Sequence, residues 1–541
     1  MNNTAGSLKR PGRKSRWPLC AVLSVWGFLV SGFTSAQSSS SQTLDVWEFV
    51  VDGNTVLDDE TIESTLAPFM GPSRTAGDVD KARSALEDCY RDKGYRTVAV
   101  TIPQQKAADG VVLLKVQESR VGHLKVIGSK YHSLDRIVES APSLAEGKVP
   151  DFKAVQNDLV TLNQQADRRV TPALKAGARP GTVDVDLVVE DSLPLHGALE
   201  LNNRYSQDTS KLRSLASLSY DNLLQRGHSL SLSFQTAPQN PDDAKVMFGS
   251  YLAPVSDSKW SVLLNTLKTD SAVSTVGGIN VLGSGSSVSV TGIRQIEGPP
   301  NFYPSLSVGI GYKDFDTTTL LGSADFKTPV KYFPVTLGYS LLWRGAQDMA
   351  QFDTSFTFAS PQLGSDTATI QLNRFNARGQ MFYLRTSLSD AHDFDSGAQV
   401  YARLSGQITD QPLISNEQIS AGGMDTARGY LEAEALGDYG ITGTVELRSP
   451  PIGESLKVGS IPPLQGFRVF LFADAARMML KGPLPDADTP DRTELFSVGA
   501  GLTLQLFEYL NGVVDWSYPV VEGPSTPKGS DRVLFRVWTS F

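Results

Sequence analysis

The chain has 541 residues, a length that is typical of two to four structural units. Lysine and arginine total 49 against 58 aspartate and glutamate residues, and the formal net charge of -9 excludes an overall basic surface for nucleic acid. Hydrophobic residues make up 40% of the chain and charged residues 20%, which excludes a largely disordered protein, and two cysteines are too few for a disulfide framework.

The first 36 residues have the pattern of an export signal. Residues 1–16 contain five basic and no acidic side chains, an apolar run extends from Leu19 to Val30, and the small residues Thr34 and Ala36 follow. As a helix, that apolar run would rise only about 18 Å, too little to cross a bilayer core of about 30 Å. We therefore expect a signal peptide cleaved after Ala36 rather than a transmembrane anchor.

Residues 44–191 show one order of predicted elements twice. The first copy is predicted to contain a strand, two helices and two strands, at residues 47–51, 59–69, 76–93, 95–103 and 110–118. The second copy is predicted to repeat them at residues 124–127, 132–141, 151–167, 169–175 and 182–191. Gly53 and Gly128 follow the first strand of each copy, and an acid, Glu118 or Glu190, ends the last. This recurrence predicts two tandem β-α-α-β-β modules, at 44–119 and 120–192.

Local motifs of the first module carry a family resemblance. Lys93-Gly94-Tyr95 follows its second helix, one strand ends in Ile102-Pro103, and the last strand contains Val-Gln-Glu. This pattern resembles a polypeptide-transport-associated (POTRA) domain, which implies binding of extended polypeptide through the unpaired backbone groups of a strand edge. The alternative is a pair of spacers without a binding role. The predicted edge consists of Thr97, Val98, Ala99, Val100, Thr101 and Ile102.

Residues 196–541 change from helical periodicity to alternation. Leu230, Leu232 and Phe234 alternate with serines, and 498–506 alternate apolar residues with Gly, Thr and Gln. Apolar residues on one face and small polar residues on the other indicate a transmembrane β-barrel, whereas a soluble β-sandwich or β-helix array is the alternative. Sixteen strands are predicted, near residues 197, 212, 228, 244, 260, 284, 304, 331, 349, 381, 397, 440, 466, 494, 509 and 531.

The last predicted strand ends in an aromatic residue. Val533, Phe535, Val537 and Thr539 share one face, and the sequence ends at Phe541. A terminal aromatic on an alternating strand resembles the signal that the barrel-assembly machinery of the outer membrane reads. The resemblance implies that machinery as a partner during insertion, although Phe541 can equally belong to an interfacial aromatic girdle.

A predicted loop at 411–440 contains Ala427-Arg428-Gly429-Tyr430, and the strand after it carries Asp474. These motifs resemble the Val-Arg-Gly-Tyr/Phe loop and the Asp-bearing strand of two-partner secretion transporters, the haemolysin secretion/activation family, and of related outer-membrane insertases. Ala427 stands where the family has Val. The resemblance implies a loop that folds into the barrel and is locked there by Arg428 on Asp474. Since an aspartate is costly in lipid, Asp474 is expected to face the lumen.

The neighbouring residues of these motifs have expected roles. Gly429 is expected to allow a tight bend at the loop tip, and Tyr430 to pack or hydrogen-bond against the inner wall. The segments 200–204 and 220–228 resemble the first barrel strand of the family and its turn between the second and third strands. The resemblance therefore covers roughly residues 44–541.

The resemblance implies a transporter in the Gram-negative outer membrane with its POTRA modules in the periplasm. Its implied partners are an unfolded exoprotein, the barrel-assembly machinery and outer-membrane lipid, with no nucleic acid. The five histidines lack a metal-ligand spacing and no nucleophile elbow occurs, so we expect no enzyme, cofactor or metal. The alternatives are an outer-membrane protein insertase of the same superfamily and a diffusion porin. Many such transporters carry an N-terminal plug helix, which does not fit between Ala36 and the first module, so occlusion is expected to depend on loop 411–440.

Overall fold

The structure is a computed structural model and describes residues 43–106, 108–163, 165–255, 258–271, 273–276, 279–321, 324–452, 465–483, 490–506 and 509–541. The predicted export signal lies outside the described residues.

The first module is a three-stranded sheet with two helices. The sheet order is β2-β5-β4, in which β5 is parallel to β2 and antiparallel to β4. Apolar side chains of the long helix α2 at Val79, Ala82, Leu86 and Tyr90 are buried. The elements are β1 (Leu44–Val46), β2 (Glu48–Asp52), α1 (Asp59–Leu66), β3 (Gly71–Arg74), α2 (Ala76–Lys93), β4 (Val98–Thr101) and β5 (Val111–Glu118).

The second module repeats this arrangement. Its sheet has the order β6-β8-β7, with β8 parallel to β6 and antiparallel to β7. Its core contains Ile137, Leu162, Val185 and Leu187, all without exposed surface. The elements are β6 (Arg120–Ile127), α3 (Leu134–Glu139), α4 (Phe152–Leu162), β7 (Arg168–Ala176) and β8 (Thr182–Asp191).

An acid at the end of the last strand holds a turn in each module, and in the second module this acid is Asp191 and not its neighbour Glu190. Glu118 accepts hydrogen bonds from the N–H groups of Thr55 (2.6 Å) and Val56 (3.2 Å), in the turn after β2. In the second module Asp191 accepts from the equivalent turn after β6, whereas Glu190 is exposed. Side chains alternate along β8, so only the residue next to Glu190 can point to this turn.

Sixteen antiparallel wall strands form a closed barrel, which confirms the predicted fold class and strand number. The barrel and its loops contain β9 (Leu195–Asn202), β10 (Arg213–Leu223), β11 (His228–Thr236), β12 (Ala244–Pro254), β13 (Trp260–Ser271), β14 (Val273–Val276), β15 (Ile279–Leu282), β16 (Ser284–Gln295), β17 (Phe302–Leu321), β18 (Ala324–Tyr332), β19 (Val335–Arg344), β20 (Asp348–Ala359), α5 (Thr367–Asn373), β21 (Met381–Asp393), β22 (Gln399–Ile408), β23 (Ile419–Ala421), β24 (Ala435–Gly437), β25 (Tyr439–Arg448), β26 (Gln465–Met479), β27 (Arg492–Leu506), β28 (Leu510–Pro519) and β29 (Arg532–Ser540).

Two of these segments share one position in the wall. β18 pairs with the second half of β17 and β19 with its first half, so the two together form one strand that is interrupted at Phe333 and Pro334. Proline lacks the N–H that a strand ladder requires, which explains the interruption. The hairpins β14-β15 and β23-β24 lie in loops and are not part of the wall.

The barrel closes where its last strand pairs with its first. β29 and β9 pair antiparallel over five residue pairs, from Arg536 with Asn202 to Ser540 with Ala198. Beyond them, the N–H of Phe541 donates to the carbonyl oxygen of Gly197 over 3.0 Å. Among the helices that the structure describes, none combines the length and apolar character needed to cross a bilayer.

Candidate functional site: the loop inside the barrel

Loop 409–438 joins β22 to β25 and folds back into the barrel. Its residues Ala427 and Tyr430 are fully buried in one cluster with Met478 of β26 and Leu495 of β27. The predicted bounds were 411–440, and they differ because β22 ends at Ile408 and β25 already begins at Tyr439. The wall strands that follow the loop therefore provide its binding surface.

Arg428 and Asp474, which the sequence motifs pair, are in direct contact. The Nε and Nη2 atoms of Arg428 each donate to a carboxylate oxygen of Asp474 over 2.8 Å, and the Arg428 backbone N–H donates over 3.1 Å. Bidentate, charge-assisted bonds of this kind are among the strongest side-chain contacts. Asp474 has no exposed surface and Arg428 is 4% exposed, so loss of either partner would leave a buried, unpaired charge.

Two further wall residues contact the same guanidinium group. Arg428 Nη1 donates to Glu446 of β25 over 2.7 Å. The centre of the Phe472 ring lies 3.5 Å from the guanidinium carbon, a distance at which a cation and an aromatic face attract each other. We call Arg428, Asp474, Glu446 and Phe472 the Arg428 cluster. Because the cluster joins one loop cation to two wall carboxylates, it is the strongest attachment point at the loop tip.

Gly429 lies in a turn that is closed by the N–H of Tyr430, which donates to the carbonyl oxygen of Ala427 over 3.1 Å, and it also lies against two wall strands. A Cβ atom at this position would lie 2.8 Å from Ser497 Cβ and 3.2 Å from the backbone nitrogen of Pro519. Further tight turns occur earlier in the loop, at Gly422 and Gly423, whose φ angles are 108° and 95°. Gly429 therefore lies at a bend, and the close approach of the loop to the wall leaves no room there for a larger residue.

Tyr430 anchors the loop through its hydroxyl group. Hydrogen bonding is one of the two roles that the sequence predicts for this residue, and packing is the other. The hydroxyl donates to the carbonyl oxygen of Val521 over 2.7 Å and accepts from the N–H of Phe496 over 3.2 Å. The ring itself has no exposed surface. Backbone atoms of β27 and of the segment after β28 thus hold Tyr430, irrespective of the side chains there.

A carboxylate of the loop itself, Glu417, holds the first part of the loop. Glu417 is 1% exposed and lies 2.5 Å from Lys313 Nζ and 2.5 Å from the hydroxyl groups of both Tyr332 and Tyr383. Its carbonyl oxygen accepts from Gln407 over 3.0 Å. These partners belong to β17, β18, β21 and β22, wall strands that precede the loop in the chain, whereas Asp474 lies on β26, after the loop.

The last residue before β25, Asp438, is another buried acid. Asp438 has no exposed surface and accepts from the N–H groups of Leu413 (2.8 Å) and Lys481 (2.7 Å) and from Arg374 Nη2 (2.7 Å). Arg374 follows α5 in another loop. The loop is therefore fixed at both ends as well as at its tip.

The resemblance at residues 200–204 also leads to this loop. Arg204, directly after β9, donates to Glu432 over 2.9 Å and to Asp425 over 2.5 Å. Both acids belong to loop 409–438, so the first barrel strand is tied to the loop as well.

The sequence patterns do not identify Glu446, Glu417 or Asp438. A usable signal existed for Glu446, because an acid inside a barrel strand avoids lipid just as Asp474 does. Glu417 and Asp438 lie in irregular backbone, where alternation carries no information about direction.

The two remaining predicted sites lie elsewhere in the structure. β4 occupies an edge of the first-module sheet, and strand structure covers Val98–Thr101, so Thr97 and Ile102 flank it. The Phe541 ring is 73% exposed and packs on Gly197 at the seam of the barrel.

Comparison with known families agrees with this geometry. The profile of the haemolysin secretion/activation protein family ShlB/FhaC/HecB matches residues 181–504, which is more than half of the chain, and the ShlB-type POTRA domain profile matches residues 44–119. The chain belongs to the haemolysin secretion/activation family. It is thus an outer-membrane transporter of the two-partner secretion type, with its POTRA domains in the periplasm.

A relative and two solved structures are similar to this chain. The outer membrane transporter CdiB of Dickeya dadantii (strain 3937) is 21% identical over 399 residues, which are 72% of this chain and 69% of the relative. CdiB from Escherichia coli has a similar fold, with a TM-score of 0.65 at 18% identity over 94% of this chain and 92% of that chain. BamA from Haemophilus ducreyi lacking POTRA domains 1–3 gives 0.54 at 14% identity over 92% of this chain and 100% of that chain. The likeness to BamA therefore concerns the fold alone.

Proposed function

We propose that this family member captures an extended exoprotein at the β4 edge of its first POTRA domain and exports it through the barrel. Export takes place when Arg428 separates from Asp474 and Glu446 and loop 409–438 moves away from the wall. The observation that carries this proposal is the cluster itself, in which a loop cation inside the lumen is held by two wall carboxylates.

The Arg428 cluster supports a gate whose opening costs free energy. Removing one partner of a buried ion pair costs about 3–5 kcal/mol, so the loop stays in place unless another interaction compensates. A polypeptide in the lumen can supply that compensation by occupying the wall surface that the loop leaves. We expect the driving free energy to come from folding or binding of the exported protein outside the cell.

The β4 edge supports capture of a substrate without sequence preference. The exposed side chains of β4 belong to Ala99 and Thr101, which are small enough for another strand to approach. Beyond the end of β4, the side chain of Gln105 covers the backbone of Leu113 through two hydrogen bonds of 2.8 Å. The edge open to a substrate on this side is thereby limited to β4, where main-chain bonds would supply the affinity.

The remaining partners concern the barrel. Its outward side chains include exposed Leu199, Leu232 and Phe234, which suit contact with outer-membrane lipid. Phe541 ends the last strand on the outside of the seam, where the barrel-assembly machinery can reach it.

The test compares a deletion strain with strains that carry the wild type or Arg428→Ala. The deletion should remove one or two proteins from the culture medium and leave outer-membrane barrel proteins unchanged. Arg428→Ala should insert normally, because β25 to β29 remain intact. It should lower the amount of the same exoproteins at least about tenfold, since the loop then lacks its defined docked position and Asp474 and Glu446 are left as unpaired charges in the path of the exported chain.

Arg403→Ala is the matched control. Arg403 lies in wall strand β22, and among the described residues no acid pairs with it, so secretion should stay at the wild-type level. Full secretion by Arg428→Ala would refute the role of the cluster. A general fall of barrel proteins in the deletion strain would point to an insertase instead.

A further inference from the structure

Three possible metal ligands meet where the second module joins the barrel. His196 lies on β9, on the face opposite to the outward Leu199, and Asp221 lies on the neighbouring β10. Asp167 comes from the segment between α4 and β7 of the second module. One ligand atom of each residue lies within 4.8 Å of the other two.

The distances fit a common ion. His196 Nε2 lies 2.9 Å from Asp167 Oδ2 and 3.5 Å from Asp221 Oδ2. Ligand atoms that bind one ion at about 2.1 Å lie about 3 to 3.5 Å apart, so small side-chain movements suffice to complete the site. His196 and Asp221 are each more than a third exposed, which allows an ion to enter from solvent.

A simple ion pair does not satisfy this arrangement. Both carboxylates approach the same nitrogen, His196 Nε2, which carries at most one proton and can donate fully to only one of them. Within the described part of the chain, neither Asp167 nor Asp221 has a lysine or arginine at ion-pair distance. Two carboxylates thus face each other with one imidazole to compensate them, whereas a divalent cation would neutralise both.

The ligand types indicate the class of ion. Imidazole with carboxylates suits zinc and other first-row transition metals better than calcium or magnesium, which prefer sets of oxygen ligands. Asp167 is also oriented by its neighbour, because its carbonyl oxygen accepts from the N–H of Ser192 over 2.9 Å. Three protein ligands leave at least one position for water.

We propose that Asp167, His196 and Asp221 bind a divalent transition-metal ion, with zinc as the preferred ion, which ties the second module to the first two barrel strands. Sequence spacing does not indicate this site, since its three ligands come from three separate elements. Metal binding is independent of the proposed secretion mechanism. Its consequence for transport, a fixed position of the second module at the barrel mouth, rests on that mechanism.

The test uses the purified full chain in detergent, without a polyhistidine tag, stripped with a chelator and titrated with zinc chloride by calorimetry. Wild type should bind one zinc ion. His196→Ala and Asp221→Asn should each weaken binding by more than about tenfold, since even loss of a residue that only orients a ligand costs about 10- to 100-fold. Asp221→Asn keeps the size of the side chain, so it retains the test if His196→Ala fails to assemble.

His392→Ala serves as the matched control. His392 Nδ1 lies 2.5 Å from Asp348 Oδ1 in β20 and β21, a pair that is not part of a three-ligand group among the described residues. This variant should bind zinc as the wild type does. Equal affinity of wild type and Asp221→Asn, or no binding by wild type, would overturn the proposal.

A second readout follows the tie between the module and the barrel. Zinc should slow hydrogen exchange in residues 165–170 of the wild type by about tenfold or more and leave the exchange of Asp221→Asn unchanged. Unchanged exchange in a zinc-bound wild type would refute the tie. If zinc binds as expected while Arg428→Ala secretes normally, the site stands and the secretion mechanism fails.

Discussion

At the scale of single residues, Arg428 has two acidic partners where the motif names one. Asp474 takes the Nε and Nη2 atoms, and Glu446 takes Nη1 over 2.7 Å. The second acid changes what a charge-reversal experiment can show, because any acid placed at 428 would meet the carboxylate of Glu446.

We predict that exchanging the charges of Arg428 and Asp474 does not restore the loop. In Arg428→Asp/Asp474→Arg, the new carboxylate repels Glu446 in a buried place. Adding Glu446→Gln removes that repulsion and should recover a clear part of the secretion lost by the double variant. Single-channel conductance of the purified barrels tests whether the loop is held again. The open probability should be lower in the triple variant than in the double variant. Equal secretion by the double and triple variants would contradict a role for Glu446.

At the scale of elements, the turns of the two modules depend on one carboxylate each. Burial raises the pKa of Asp191, but hydrogen bonds from the N–H groups of Tyr131 and Lys130 and from the Ser129 hydroxyl outweigh it and hold the pKa at about 2. The ordinary value is about 3.9. The contribution of Asp191 to stability is therefore complete above about pH 4 and is lost as the pH falls towards 2.

We expect Asp191→Asn to loosen this turn at neutral pH. An amide can accept through only one oxygen, so part of the bonds to Lys130 and Tyr131 is lost, at a cost of about 1–3 kcal/mol. Hydrogen exchange of the full-length protein should show faster exchange at residues 129–133. Glu190→Gln, at the exposed neighbour, is the control and should exchange like the wild type. If residues 129–133 of Asp191→Asn exchange as slowly as in the wild type, Asp191 does not hold the turn.

The edge strand β4 allows a sharper comparison. Ala99 is exposed on β4, and its partner Gln117 is exposed on the central strand β5 of the same sheet. Lysine on an edge strand disfavours pairing with a further strand. Ala99→Lys should therefore lower secretion more strongly than Gln117→Lys, which adds the same charge away from the edge. If both variants secrete equally, binding at β4 is excluded.

Sequence patterns predict the positions of the wall strands better than the contacts between side chains of the wall and the loop. Alternation with a period of two located all sixteen wall strands, because each strand exposes one face to lipid. The helix predicted at 151–167 was too long, since Asn163 ends it by hydrogen bonds with both backbone groups of Val170. The helix α5 was not predicted, and the partners of Glu417 depend on strand register, which a single sequence does not define.

At the scale of the whole molecule, the seam is the position where the ends of the barrel sequence meet. It contains five residue pairs, and the Phe541 ring covers Gly197, where a side chain has no room. Glycine at this position thus allows the far end of the Phe541 ring to lie against the first strand.

We predict that Gly197→Leu weakens closure of the barrel. The new side chain would displace the Phe541 ring and with it the last backbone pairs. Gly443→Leu is the control, because the nearest atom to a Cβ there is 3.6 Å away. The folded fraction, measured by heat-modifiable mobility in electrophoresis, should fall at a lower temperature for Gly197→Leu only. Identical transitions for the two variants would show that the ring does not support the seam.

The separations along the chain imply an order of assembly. Arg428 is 18 residues from Glu446 and 46 from Asp474, whereas Phe535 and Asn203 across the seam are 332 residues apart. Contacts between residues that are close in sequence form with a smaller loss of chain entropy than contacts between residues that are far apart in sequence. We therefore expect the loop to be in place on an open sheet before the ring closes, so that the barrel already contains its loop when it first becomes a closed channel.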